Sequence, residues 1–213
     1  MAFELSVSAS IAALIRAGAL CCDVARAVGR DDTLDAPLAQ AELAARANQS
    51  LDIGPSRQLY RAFGLDPTRT RPSSEALLRR VRRGEGIPRI NTLVDLCNWG
   101  SLEVQLPYGL YDLDRVEPPV ELRRGGPDEA YQGIRKDEVH LDGRPVLADA
   151  RGPFGNPSSD SARTMVTEAA RRVLVMVYAT PAMPPAEMMR VLDLTASRFA
   201  RYAGGVETWR WVS

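Results

Sequence analysis

The stretch INTLVDLCNWGSL, residues 90–102, decides the fold. Asn91 is an N-cap by residue type, and the residues after it are apolar on nearly every side, as in a helix surrounded by protein. Inside it Asp95, Asn98 and Ser101 recur at a spacing of three, so one polar stripe runs along an otherwise buried helix. Buried polar groups are costly unless paired. The three are therefore either satisfied core residues or the wall of a pocket, and the spacing leaves both open.

Toward the N-terminus, SSEALLRRVRRG (73–84) predicts an amphipathic helix. Ser73 or Ser74 is its expected cap, Glu75 complements the positive helix end, and Gly84 stops it. Leu77, Leu78 and Val81 share one face. Arg79, Arg80, Arg82 and Arg83 share the other, as a solvated surface or as a set of phosphate contacts, which guanidinium forks make well. DAPLAQAELAARANQ (35–49) and PSRQLYRAFG (55–64) predict two more helices, with LDPTRTRP (65–72) as a loop. FELSVSASIAALI (3–15) and ALCCDV (19–24) suit two strands, with a helix as the competitor.

Toward the C-terminus the pattern changes to short strands: LPYGLYD (106–112), PPVELR (118–123), DEVHLD (137–142), RPVLADA (144–150), RTMVT (163–167) and VLVMVYA (173–179). A helix over 184–204, opened by two prolines and closed by Gly204, and a strand VETWRWV (206–212) end the chain. The fold class is α+β: a mixed β-sheet with packed helices. GPFGNPSSDSART (152–164) interrupts the strand series and is longer and more polar than a turn requires. It is either an ordinary solvated loop or part of a binding site.

Composition excludes much. With 27 basic and 27 acidic residues, no overall charge draws the 213-residue chain to nucleic acid or membrane. All basic residues but Lys136 are arginine, so any anion site uses guanidinium groups. Cys21, Cys22 and Cys97 fit neither a disulfide framework nor a zinc site, and a single histidine, His140, rules out a histidine-rich centre. No Gly-rich phosphate loop is present. The expectations are no metal, no cofactor, no membrane span, no signal peptide and a cytoplasmic location; oligomeric state is not legible.

RPSSEALLRRVRRGEGIPRINTLVDLCNWGSL (71–102), then LPYGLYDLDRV and GPFGNPSSDSART, resemble the free-standing proteins built on the editing (B3/B4) domain of the phenylalanyl-tRNA synthetase beta subunit. The resemblance implies one B3/B4-like domain over 1–213. Its motif-bearing core is about 60–180, with N-terminal strands and helix over 1–55 and a C-terminal helix and strand over 183–213. In the synthetase this domain is a proofreading pocket that hydrolyses tyrosine attached to the tRNA for phenylalanine. A hydrophobic pocket rejects an added hydroxyl by only about a hundredfold, so a second sieve is useful.

By resemblance, Asn98, Ser159 and Asp160 are the candidate catalytic residues. Trp99, Ser101, Tyr108, Tyr111, Gly155, Asn156, Ser158 and Ser161 are candidates for the substrate pocket, and Arg79, Arg80, Arg82 and Arg83 for tRNA contact. Asn98, Pro107, Tyr111 and Asp112 match the family pattern. Cys97 stands where that pattern has threonine, Gly109 where it has histidine, and Val175 or Met176 where it has glutamate. The implied partners are tRNA or aminoacyl-tRNA and an amino-acid-like small molecule. Three activities fit: a deacylase of mischarged tRNA, a non-catalytic tRNA or amino-acid binding module, and an enzyme acting on a free amino-acid derivative in biosynthesis.

Overall fold

The computed structural model describes residues 3–135 and 137–213. In chain order the elements are β1 (Leu5–Val7), β2 (Arg16–Asp23), α1 (Asp35–Ala47), α2 (Gly54–Ala62), α3 (Ser73–Arg82), α4 (Thr92–Val104) and β3 (Tyr108–Asp112). There follow β4 (Val120–Arg124), β5 (Ala130–Gln132), β6 (Glu138–His140), β7 (Pro145–Asp149), β8 (Gly152–Gly155), β9 (Arg172–Ala179), α5 (Pro185–Ala203) and β10 (Val206–Val212). The α+β class expected from the pattern is what forms.

One antiparallel sheet has the order β10-β2-β9-β3. A mixed sheet has the order β1-β4-β7-β8, with β1 and β4 parallel. The strands β2 and β9 read as unbroken apolar runs because both of their faces are covered. Leu20, Cys22, Val173, Val175 and Val177 join the helices in one core. Ala19, Cys21, Leu174, Met176 and Tyr178 join the mixed sheet in the other. The order is helices, sheet, sheet, with the antiparallel sheet in the middle.

The helix α4 lies in the helical layer against α3, α5 and β3. Its N-cap is Asn91, whose side chain accepts from Val94 N at 3.0 Å, as the sequence predicts. Gln105 closes it in the left-handed region, φ 56°, and turns the chain into β3. Of the polar stripe, Asp95 is fully buried and paired, accepting from Arg89 Nε at 2.7 Å and Ile90 N at 2.8 Å. Ser101 donates to Leu106 O at 2.7 Å. Asn98 makes no hydrogen bond from its side chain among the described residues.

Two local expectations are corrected. Neither Ser73 nor Ser74 caps α3; Pro72 takes that place. Their hydroxyls are drawn to tertiary partners instead, Ser73 to Pro157 O at 3.2 Å and Ser74 to Ser56 Oγ at 3.4 Å. RTMVT is not a strand. Ala162–Thr164 forms a single 3-10 turn, because Arg163 turns back to grip the buried Asp149 with two bonds of 3.0 and 2.9 Å. No helix among the described residues is long and apolar enough to cross a membrane.

Candidate functional site

A cleft of about 450 Å³ opens where the helical layer meets the free edge of β3. The helix α4 and its N-cap contribute Asn91, Val94, Cys97, Asn98 and Ser101, residues that share one face by their three- and four-residue spacing. The start of α3 adds Ser73 and Leu77, and β3 adds Tyr108, Gly109 and Leu110. The loop after β8 supplies Asp160, and the segment beyond the 3-10 turn supplies Met165 to Glu168. The tip of the β5–β6 hairpin, Ile134 and Arg135, closes the remaining side. It docks through an isolated bridge between Gly133 and Ser161 and through Ile134 N donating to Asp160 O at 3.3 Å.

The edge strand is itself a source of donors. Tyr178 N donates to Pro107 O at 3.0 Å, which sets the alternation of β3 against β9. By that alternation Gly109 and Tyr111 bond toward β9, and the main-chain groups of Tyr108 and Leu110 face the free edge.

Among the candidate residues, Asn98, Ser101, Tyr108 and Asp160 line this cleft together. Ser101 and Tyr108 are partly committed, since the Tyr108 hydroxyl lies 3.1 Å from Thr195 Oγ1. Burial pushes the Cys97 thiol well above its usual range, so it stays protonated and is no ready nucleophile. Burial raises the Tyr108 phenol likewise.

The other candidates do not border the cleft, for particular reasons. Trp99 is on the far side of α4, in a separate groove of about 390 Å³ against Pro37, Ala41 and Ala44. There the Arg198 guanidinium stacks 3.8 Å from the ring centroid. The polarity of the 152–164 loop serves the loop itself and the side chains packed against it. Asn156 Oδ1 accepts from Ser158 N at 2.8 Å and Ser159 N at 3.0 Å, an Asx turn, and its amide donates to Tyr131 at 2.7 Å. Ser158 bonds Tyr60 at 2.8 Å, the Ser159 carbonyl accepts from Tyr131 at 2.5 Å, and Ser161 N donates to Phe154 O at 3.0 Å.

Tyr111 and Gly155 lie behind β3, and they account for Gly109. The Tyr111 ring is fully buried, edge-on to Phe154 at 5.0 Å, with its hydroxyl 3.2 Å from that of Tyr178. A β-carbon at Gly109 would stand 2.3 Å from that hydroxyl, and one at Gly155 would be 2.3 Å from the same atom. A side chain at 109 and a phenol at 111 thus exclude each other. That is a steric reason for glycine where the family pattern has histidine. Val175 and Met176 both sit in the cores of the sheet, away from the cleft.

The four arginines of α3 and its C-cap are all engaged. Arg79 donates to Glu75 at 2.8 Å, and Arg82 to Asn48 O at 3.0 Å. Arg80 and Arg83 share the exposed Glu85 at 3.0 and 2.6 Å. Sequence reasoning missed Arg135, Thr167 and Glu168 at the cleft. The last two lie where a strand was expected or just past it, and Arg135 is brought in by a hairpin whose first strand is only three residues long.

The layered arrangement is shared with a solved protein. An N-terminal fragment of the phenylalanyl-tRNA synthetase beta subunit from Pyrococcus horikoshii superposes with a TM-score of 0.55 at 14% identity, covering 100% of this chain and 55% of that one. The family model of the B3/4 domain matches residues 56–211, and the chain belongs to that family. The resemblance drawn from residues 71–164 is borne out. Relatives include phenylalanine–tRNA ligase beta subunits of Bartonella henselae, 25% identical over 86% of this chain, and Bartonella quintana, 28% identical over 57% of it. That of Xanthomonas campestris is 32% identical over 50% of the chain. The chain spans 23%, 15% and 14% of the lengths of these three relatives.

Proposed function

We propose that the cleft receives the aminoacyl end of a tRNA and that water hydrolyses the ester there. The observation that carries this is the convergence of Asn98, from α4, and Asp160, from the loop after β8, on one cleft at the edge of β3. An aminoacyl ester presents an ammonium group and a carbonyl. A carboxylate suits the first, so Asp160 is assigned to the ammonium. Amide N–H donors suit the oxyanion that forms on the second, so Asn98 Nδ2 and the edge main chain of β3 are assigned to it.

In the reaction the water oxygen bonds to the carbonyl carbon, and the bond from that carbon to the ribose oxygen breaks. One water proton passes to the leaving ribose oxygen, and the other is released to solvent as the amino-acid carboxylate forms. Cys97 is held protonated, the Ser101 and Ser73 hydroxyls donate to Leu106 O and Pro157 O, and no histidine or lysine among the described lining residues stands by to activate Thr167. That favours direct water attack. It equally supports a second reading, a module that holds the aminoacyl end without turning it over.

A deacylation screen separates the two. The protein is mixed with tRNA charged with each amino acid in turn, and the charged fraction is followed over time. Faster loss of one class of aminoacyl ester is the expected result. Protection of a charged tRNA from spontaneous hydrolysis would establish the binding module instead. No effect on any charged tRNA would contradict both.

A further inference from the structure

The chain is neutral overall, yet its charge is segregated. Residues 54–83 hold eight arginines against two carboxylates, Asp66 and Glu75, so the remainder carries a matching excess of acid. The C-terminal end of this segment is offset by the exposed Glu85, which lies against Arg80 and Arg83. Its centre is not. Glu75 is buried, and three guanidinium groups surround its carboxylate. Arg57 binds it with two bonds of 2.7 and 2.8 Å, Arg79 with one of 2.8 Å, and Arg71 stands at 3.7 Å. The Arg57 fork holds the Glu75 carboxyl below the usual carboxylate range, so it is ionised at neutral pH. Asp66 is turned to its own loop, accepting from Thr68 N at 2.8 Å and Thr68 Oγ1 at 2.7 Å.

One carboxylate thus holds two guanidinium groups by hydrogen bonds, draws a third to ion-pair distance, and leaves two positive charges over. Arg71 and Arg79 are 42% and 49% exposed at their side chains, and each keeps N–H donors that no described residue accepts. Donors fixed from behind and open in front are what recognition of a phosphate requires. The surroundings argue for a nucleic acid backbone and against a lipid surface, since the residues flanking Arg71 are polar or proline and supply no apolar anchor. The location argues the same way. Arg71 is two residues from Ser73, which lines the cleft, a distance the chain spans in about 7 Å.

We propose that Arg57, Arg71 and Arg79, gathered around the buried carboxylate of Glu75, form a seat for the phosphate backbone of an RNA strand whose 3′ end enters the cleft. The proposal deepens the proposed function and rests on it for the strand's destination. It also moves the contact surface from the outer face of α3 to the junction of α2, the 65–72 loop and the start of α3. The excess of arginine over carboxylate in residues 54–83 would attract the incoming strand before contact.

The test uses fluorescein-labelled deacylated tRNA and anisotropy, at salt concentrations of roughly 0.05 to 0.2 M, where counterion release is most visible. Arg57 is left in place so that Glu75 keeps its two-bond partner, and thermal melts check the fold of each variant. For Arg71→Ala combined with Arg79→Ala, the slope of log K against log salt is expected to flatten by about 1.4, and affinity at 0.1 M salt to fall roughly twentyfold. Arg83→Ala, whose guanidinium faces Glu85, is expected to change neither. Unchanged binding by the double variant would overturn the seat, as would an equal loss with Arg83→Ala. Competition by polyglutamate as effective as by RNA would also overturn it, in favour of an acidic protein partner.

A small probe, an adenosine carrying an amide-linked amino acid at its 3′ position, keeps the seat and the cleft assignment separate. Its binding to the cleft is expected to be the same in wild type and in the double arginine variant. If it binds but RNA binding ignores the arginines, the seat fails and the cleft assignment stands. If it does not bind wild type while RNA binding still needs the arginines, the cleft assignment fails and the seat stands.

Discussion

Replacing Asn98 with alanine is expected to slow hydrolysis of the preferred aminoacyl-tRNA by about a hundredfold or more, the usual loss when one donor to a forming oxyanion is removed. The fold should barely notice. Asn98 is half-buried, and its amide makes no hydrogen bond with the described residues, so truncation strands no partner. A stability change of about 0.5 kcal/mol or less is expected for a substitution of that kind. Its helix neighbour behaves differently. Asp95 is fully buried on two bonds, and removing it would uncover a paired Arg89; that residue serves the fold. Deacylation at the wild-type rate by a folded Asn98→Ala protein would show that the amide has no part in the chemistry.

Gly109→Ala is expected to destabilise the protein by about 3 kcal/mol, at the upper end of what overpacking a filled core costs. The backbone at 109 is ordinary strand, so the penalty is steric: the new β-carbon meets the Tyr111 hydroxyl, ring carbon Cζ and Cε2 at 2.3, 2.8 and 2.9 Å. The ring cannot swing aside, because Gly155 closes on its other flank. Denaturant unfolding measures the loss. If the coupling is as described, Gly109→Ala combined with Tyr111→Leu should be less destabilised than the sum of its parts, since the two sites share one volume. Strict additivity, or a Gly109→Ala protein as stable as wild type, would show that the ring yields without strain.

Much of the fold is legible in the sequence because burial leaves its mark on composition. The unbroken apolar runs of β2 and β9 read as buried strands, and both of their faces are covered. The N-cap of α4 and the glycine stops of α2, α3 and α5 follow from local backbone preferences, with Gly64, Gly84 and Gly204 all at positive φ. The site is less legible. Asn98 and Asp160 stand out as polar residues in unexpected surroundings, but nothing local distinguishes Asp160 from Asn156 and Ser158. Those two satisfy the loop and its neighbours, a use of polar groups that leaves the same composition as a binding wall. The arginines illustrate the same limit. Glu75 reads as a partner for the helix dipole, whereas it is a buried hub whose two-bond partner, Arg57, comes from another helix.

The most direct measurement is a structure of the protein with the amide-linked aminoacyl-adenosine bound. The aminoacyl group is expected in the cleft between α4 and the 160–168 segment, its ammonium on Asp160 and its carbonyl oxygen turned to Asn98 and the edge of β3. Density for the probe in the Trp99 groove beside α1, or in the cleft with the carbonyl facing away from Asn98, would contradict the assignment of this site to an aminoacyl ester.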